Sequence, residues 1–221
     1  MRAKQNRFSH NKTADNIIQE GKPLFEQLKG KWQSLYFVNN NPITLELACG
    51  YGEYTTGLAK VYPARNFIGI DIKGDRLWQG SNVAKEENLA NVAFLRSLVH
   101  DLDKHFAEDE VGEIWLTFPD PRPKNKDERR RLTSKRFIEL YKRTLKPGGW
   151  LMFKTDDADL FDYTLNQLKR REDIVDLEFT HDLANSNLLK EHNGIITRYE
   201  LMFTEKAGTI KYLKFRFGIR V

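Results

Sequence analysis

Leu45-Glu46-Leu47-Ala48-Cys49-Gly50-Tyr51-Gly52-Glu53 is the stretch whose reading decides the fold. An apolar, strand-like run over 43–48 ends in two glycines one residue apart, and a helix-forming segment over 53–62 follows at once. A strand that turns into a helix this abruptly opens a βα unit. Gly50 and Gly52 give the backbone freedom for a tight turn and let a ligand approach the main chain closely. The alternation continues downstream. Strands at 67–71, 92–96, 113–118 and 150–154 are separated by helical segments at 75–88, 102–107 and 134–145. A helix at 158–169 then leads to a strand at 175–181. Strands parted by helices predict a mostly parallel, doubly wound sheet with both faces covered. Near the end, Thr197-Arg198-Tyr199-Glu200 has the form of a capping box opening a helix that Gly208 is placed to close. The strand after it, at 212–217, is expected to insert antiparallel. The outcome is an α/β, Rossmann-like sheet of about seven strands.

At 221 residues, 40% hydrophobic and 30% charged, the chain suits one domain. Residues 1–12 read as a flexible basic arm. Residues 13–41 read as a helical extension packed on the domain, with Ile17, Ile18, Leu24, Phe25 and Leu28 as its apolar positions. Cys49 is the only cysteine, which excludes an intrachain disulfide and a cysteine-based zinc site. The five histidines show no pair at ligand spacing, so no metal is expected. No apolar run approaches the ~20 residues needed to span a bilayer, and the polar N-terminus lacks a signal-peptide core. A cytoplasmic protein with no membrane association is expected, with monomer and homodimer both open.

The net charge of +5 is unevenly spread. Segment 122–146 holds eleven Lys and Arg against Asp127, Glu128 and Glu139. Further clusters are Arg2, Lys4, Arg7 and Lys12 at the start and Lys206, Lys211, Lys214, Arg216 and Arg220 at the end. A charge run alone is ordinarily a solvated face. This one follows Phe118-Pro119-Asp120-Pro121-Arg122-Pro123-Lys124, in which three prolines stiffen a loop at a strand's end and present Asp120 and Lys124 from it. One carboxylate followed by many cations suits chemistry beside a polyanion.

The crevice outside the strand ends is where doubly wound sheets take ligands, and Asp71, about 20 residues beyond the glycine turn, stands where a carboxylate grips ribose hydroxyls. Thr55 occupies the place of a third glycine, and Glu46 and Glu53 bracket the turn. Carboxylates there would repel a pyrophosphate, which disfavours a nicotinamide-dependent oxidoreductase, and they suit a ligand carrying an amine and a sulfonium. The pattern resembles the glycine-rich motif of class I S-adenosylmethionine-dependent methyltransferases.

With the proline loop added, the resemblance becomes specific. Glu46…Gly50-Tyr51-Gly52, Phe118-Pro119-Asp120-Pro121-x-Pro123-Lys124, Arg130-Arg131-Leu132-Thr133, Lys146-Pro147-Gly148-Gly149, Phe153-Lys154-Thr155-Asp156 and Thr197-x-Tyr199-Glu200 occur in this order. Together they resemble the bacterial single-chain tRNA (guanine-N7-)-methyltransferases, from about Thr44 to Phe217. The resemblance implies methyl transfer from S-adenosyl-L-methionine to N7 of a guanosine in tRNA, in the variable loop. It implies that Glu46, Gly50, Gly52, Asp71, Leu98 and Asp120 bind the cofactor and that Asp120 is catalytic. Lys124, Asp156, Thr197, Arg198, Tyr199 and Glu200 would bind the guanosine, and Lys126, Arg129, Arg130 and Arg131 the RNA backbone. Guanine N7 has a lone pair and no proton, so it attacks in line without a strong general base, and positioning supplies the rate.

The chain departs from the family pattern at Ala48, where glycine is usual, at Leu98, where an acid or amide is expected, and at Arg122, where tryptophan is usual. Asp127-Glu128 interrupt the basic run, and Ala184 replaces a histidine. Plainer readings stay open beside these roles. Asp120 can be a turn acid, Asp156 a cap of the following helix, and Thr197 with Glu200 only a capping box, while Trp115, Phe118 and Phe153 read as core. At the level of function, a class I methyltransferase with another substrate and an RNA-binding protein with a decayed cofactor pocket are the alternatives.

Overall fold

The structure, a computed structural model, describes residues 2–204 and 208–218. Lys206 and Arg220, the side chains of Arg2 and Lys4, and the point where the helix before Gly208 closes lie outside the described residues. In chain order the elements begin with α1 (Arg2–Thr13), β1 (Ile17–Ile18) and a π-helical turn at Trp32–Phe37. Next come β2 (Ile43–Leu47), α2 (Glu53–Val61), β3 (Asn66–Ile70), α3 (Gly74–Glu86), β4 (Val92–Leu95) and α4 (Leu102–His105). They are followed by β5 (Val111–Thr117), α5 (Lys135–Thr144), β6 (Leu145–Thr155), α6 (Ala158–Lys169), β7 (Ile174–Thr180), α7 (Arg198–Thr204) and β8 (Lys211–Phe217).

One eight-stranded sheet runs in the order β1-β4-β3-β2-β5-β6-β8-β7. All five residues of β2 are buried, as a strand flanked by parallel neighbours and covered on both faces must be. Strands β3 and β4 extend the sheet to one side of β2, and β5 and β6 extend it to the other. The chain therefore reverses direction across the sheet between β2 and β5, and a crevice opens beyond their carboxyl ends. The glycine turn leaves β2 there, and the proline loop leaves β5 beside it. Strand β8 inserts antiparallel to both β6 and β7, as the sequence predicts.

Three expectations are corrected. The eighth strand is β1. Ile17 and Ile18, read as helical, pair in parallel with Phe94 and Leu95, because these two fully buried β-branched residues complete the sheet's edge. Of residues 1–12, read as a flexible arm, 2–12 belong to the helix Arg2–Thr13, which packs against α3. Asn11 is buried and donates to the Gly74 carbonyl at 2.6 Å, and the Arg7 guanidinium lies over the Trp78 ring. The strand expected at 150–154 begins already at Leu145, and residues 146–149 loop out within it between the pairings Val111 with Leu145 and Glu113 with Trp150. The rest of the extension is anchored by Trp32, which is fully buried, stacks on Phe106 and donates its indole N–H to the His105 carbonyl.

Candidate active site

The glycine turn has left-handed backbone at every second residue. Ala48, Gly50 and Gly52 have φ of 56°, 56° and 70°. At Gly52 a Cβ would also stand 2.4 Å from the Phe94 ring, so glycine is required twice over. Asp71 holds the turn to the end of β3. One carboxylate oxygen accepts from the Gly50 N–H at 3.0 Å and the other from the Lys73 N–H at 2.8 Å. Glu46 lies beneath the turn rather than in the cleft. Its buried carboxylate accepts from the N–H and hydroxyl of Thr55 and from the Thr117 hydroxyl, tying β2, α2 and β5 together. Burial pushes its pKa up to about 7, against the opposing pull of these hydrogen bonds. Thr55, standing where a dinucleotide site has its third glycine, is thus the partner that fixes Glu46.

Beside the turn is a cleft of about 450 Å³ lined by Ala48, Asp71, Ile72, Leu98, Val99 and Asp120, with Arg122, Arg129, Arg130 and Arg136 also at its walls. Leu98 is 42% exposed and Ile72 47% exposed, so this cleft offers apolar surface where the family resemblance called for a polar contact. Asp120 is exposed and pairs with the Arg122 guanidinium at 3.0 Å, while the Arg122 N–H lies 3.3 Å from the same carboxylate. Phe118 and Arg122 have φ of 49° and 48°. Non-glycine residues held in this region mark strain that the surroundings impose, and such strain clusters at functional sites. Phe118, read as core, is only half-buried, and its ring packs 5.2 Å from that of Tyr199.

The acids that interrupt the basic run are absorbed locally. Asp127 pairs with Arg130 at 3.1 Å, and Glu128 accepts from the Tyr163 hydroxyl. Arg131 stacks over the Tyr163 ring and donates to the Arg122 carbonyl, bracing the proline loop from behind. Lys124, Lys126 and Arg129 are exposed and enter no ion pair among the described residues.

A second group of predicted residues meets above β6. The cap of α6 is Asp157, whose carboxylate accepts from the Leu160 N–H at 2.7 Å, so the capping reading of Asp156 is overturned. Asp156 instead accepts from the Tyr199 hydroxyl at 2.8 Å. Partial burial, then this bond, push Tyr199 up to about 12. Thr197 does cap, accepting from the Glu200 N–H at 3.1 Å, but Glu200 does not return the bond. Its buried carboxylate turns to Lys154 at 2.8 Å and to His192 at 3.1 Å. Burial pushes Glu200 up, but the His192 hydrogen bond and the Lys154 charge outweigh it and hold the carboxyl below its ordinary value. Burial likewise brings Lys154 down to about 8, with Glu200 opposing. Arg198 is clamped by Glu53, through its guanidinium at 3.3 Å and its backbone N–H at 3.1 Å, so Glu53 fastens segment 197–200 to the start of α2. Lys154, His192 and the Arg198 clamp were not foreseen as site features. The available signal was a lysine inside the apolar run Leu151-Met152-Phe153-Lys154.

Asp71, Leu98 and Asp120 thus share one cleft, and Asp156, Tyr199 and Glu200 form a neighbouring group joined to it by the Phe118–Tyr199 contact. Lys124 stands at neither. Among the described residues, no group of three His, Cys, Asp or Glu side chains is disposed to hold a metal, and no helix is long and apolar enough to cross a membrane.

Comparison with known proteins agrees with this geometry. A family described as "Putative methyltransferase" matches residues 40–213. The tRNA (guanine-N(7)-)-methyltransferase of Cytophaga hutchinsonii is 46% identical over 217 residues, covering 98% of each chain. That of Oceanobacillus iheyensis is 38% identical over 213 residues, covering 92% of this chain and 95% of its own. The solved 16S rRNA methyltransferase KamB shares the fold at a TM-score of 0.62 and 14% identity, over 92% of this chain and 99% of that one. With the glycine turn, the proline loop and segment 197–200 gathered at the reversal point of a class I methyltransferase sheet, the chain belongs to the tRNA (guanine-N(7)-)-methyltransferase family.

Proposed function

We propose that this protein transfers a methyl group from S-adenosyl-L-methionine to N7 of a guanosine in the variable loop of tRNA, in the cytoplasm. The observation that carries the reading is the juxtaposition of Asp120, at the cleft, with Asp156 and Tyr199, through the half-buried Phe118 ring.

The residues of the cleft fit the cofactor. Each Asp71 oxygen spends one lone pair on a backbone N–H and keeps another for a ribose hydroxyl. Leu98, Ile72 and Val99 supply an apolar surface for adenine, and the left-handed turn brings main chain to the cleft without side-chain bulk. S-adenosyl-L-methionine, when bound, supplies an electrophilic methyl on sulfur. The chain's own residues position and compensate charge. Asp120 faces the base, where a carboxylate offsets the positive charge that N7 alkylation leaves on the purine. Asp156 accepts from the guanine N1–H and N2–H₂ edge, with Tyr199 fixing its orientation. Lys126, Arg129, Arg130 and Arg131 hold the RNA phosphates, and Lys124, exposed on the loop outside both groups, meets the nucleoside as it enters. No residue is needed to take a proton from N7.

The test is incubation with unmodified tRNA and labelled cofactor, followed by nuclease mapping and mass spectrometry. The expected product carries one methyl at guanine N7 in the variable loop. Methyl on another base or atom, with none at N7, overturns the proposal.

A further inference from the structure

Lys154 is a lysine with no side-chain exposure, at the carboxyl end of a central strand. Its ammonium lies 2.8 Å from Glu200, itself nearly buried, whose other oxygen meets His192 at 3.1 Å. Burying such charges costs several kcal/mol per ion, and an apolar pair of similar volume is commonly as stable or more so. Stability is therefore a poor reason for a lysine here. Its surroundings offer a better one. The Lys154 carbonyl accepts from the Phe118 N–H at 2.8 Å, and its ammonium lies 5.5 Å from the centre of the Phe118 ring. Phe118 begins the proline loop in left-handed backbone and packs on Tyr199, the neighbour of Glu200 in α7. Asp156, which Tyr199 holds, is two residues along the same chain.

We propose that Lys154 is a positioning residue for methyl transfer. It fixes Glu200, and through α7 it sets Tyr199 against Phe118 and Asp156, so that the proline loop and segment 197–200 face one guanosine in a single register. The residue itself, sealed beneath both, touches neither cofactor nor base. This inference rests on the proposed function, and the two fail separately.

A cycle of Lys154→Met, Glu200→Gln and the pair tests it, with single-turnover rates taken per folded molecule and S-adenosylhomocysteine affinity measured alongside. If Lys154 acts through Glu200, each single change lowers the rate at least tenfold. The pair then stays within threefold of the slower single variant, and S-adenosylhomocysteine affinity stays within threefold of wild type. Wild-type rate per folded molecule in Lys154→Met overturns the inference, and so do losses that multiply in the pair. Should Lys154→Met alone fail to fold, the pair is compared with Glu200→Gln. A rate within threefold supports the inference, and a further tenfold loss overturns it. Collapse of the pair as well would assign Lys154 to folding and overturn it. If the wild type methylates tRNA elsewhere than at guanine N7, the substrate reading falls, while the cycle is still read on that product.

Discussion

The glycine turn and the proline loop leave adjacent strands, border one cleft and both contain left-handed non-glycine residues, yet they are held in opposite ways. The turn is fastened from inside the protein. Glu46 is buried beneath it with three hydrogen bonds, and Asp71 grips it through two backbone N–H groups. Beyond Phe118 the loop is stiffened by its own prolines and fastened from outside, by the exposed Asp120–Arg122 pair and by Arg131 on the Arg122 carbonyl. Exposed pairs of this kind contribute about 0–1 kcal/mol and are screened by salt. One side of the cleft is a fixture of the core. The other keeps its shape by covalent geometry while its charges stay free to exchange partners when an RNA arrives. A cofactor of constant shape suits the first, and a large polyanion suits the second.

The difference is tested most strongly at the loop's proposed catalytic group. Asp120→Asn keeps the side chain's size and removes its charge. Single-turnover methylation should fall about 10²–10³-fold, the loss typical of one preorganised electrostatic group, with the thermal midpoint unchanged. The turn should respond in the reverse manner. Gly52→Ala drives a methyl to 2.4 Å from the Phe94 ring at a φ of 70°. A loss of about 2–4 kcal/mol in denaturant unfolding is expected from overpacking and strain together. Gly50→Ala, with nothing nearer than 4.0 Å, should lose only about 1–2 kcal/mol. Equal losses at the two glycines would mean that Phe94 yields and that the turn is less embedded than its contacts imply.

How much of this was legible beforehand follows from the range of each interaction. The alternation of strands and helices is a local signal, and it yielded the sheet, its reversal point and the residues at its carboxyl edge. A two-residue strand such as β1 has no periodicity to read, since only its pairing with Phe94 and Leu95 makes it a strand. Asp156 and Asp157 are neighbours, and nothing in their order says which caps α6 and which is left for Tyr199. The capping pattern at Thr197 and Glu200 was half right for the same reason. The Thr197 bond spans three residues, but the Glu200 carboxylate finds its partner 46 residues away in Lys154. Strain was invisible too, because no composition rule places Phe118 or Arg122 at positive φ.

Glu46 gives the turn a pH signature. Its folded value, about 7, lies above its ordinary 4.5 because burial disfavours the charged form. The native state therefore binds the proton more tightly than the unfolded chain does. The stability this contributes is full below pH 4.5 and is lost as pH rises through 7, by an amount on the order of 3 kcal/mol. Glu46→Gln, an uncharged side chain of the same shape, should flatten that fall between pH 4.5 and 7 in urea titrations at stepped pH. A slope that survives the substitution would move the titration to another group and leave the turn without its buried anchor.

The smallest expected effect compares the two regions at the level of a single dihedral angle. Ala48 sits at φ 56° and lines the cleft. Left-handed backbone costs an L-residue roughly 1–2 kcal/mol, and glycine escapes it while adding some unfolded-state entropy. Ala48→Gly should therefore stabilise the protein by about 1 kcal/mol or a little less and leave S-adenosylhomocysteine affinity within twofold. Phe118→Gly relieves the same kind of strain at φ 49° but removes the ring that meets Tyr199 and covers Lys154. That change should give no net stabilisation and should slow methylation. Strain in the turn is thus incidental to a tight bend, whereas strain in the loop holds an aromatic ring against Tyr199 and over Lys154. If Phe118→Gly proved as stabilising and as active as Ala48→Gly, the two bends would be equivalent and this division between them would fail.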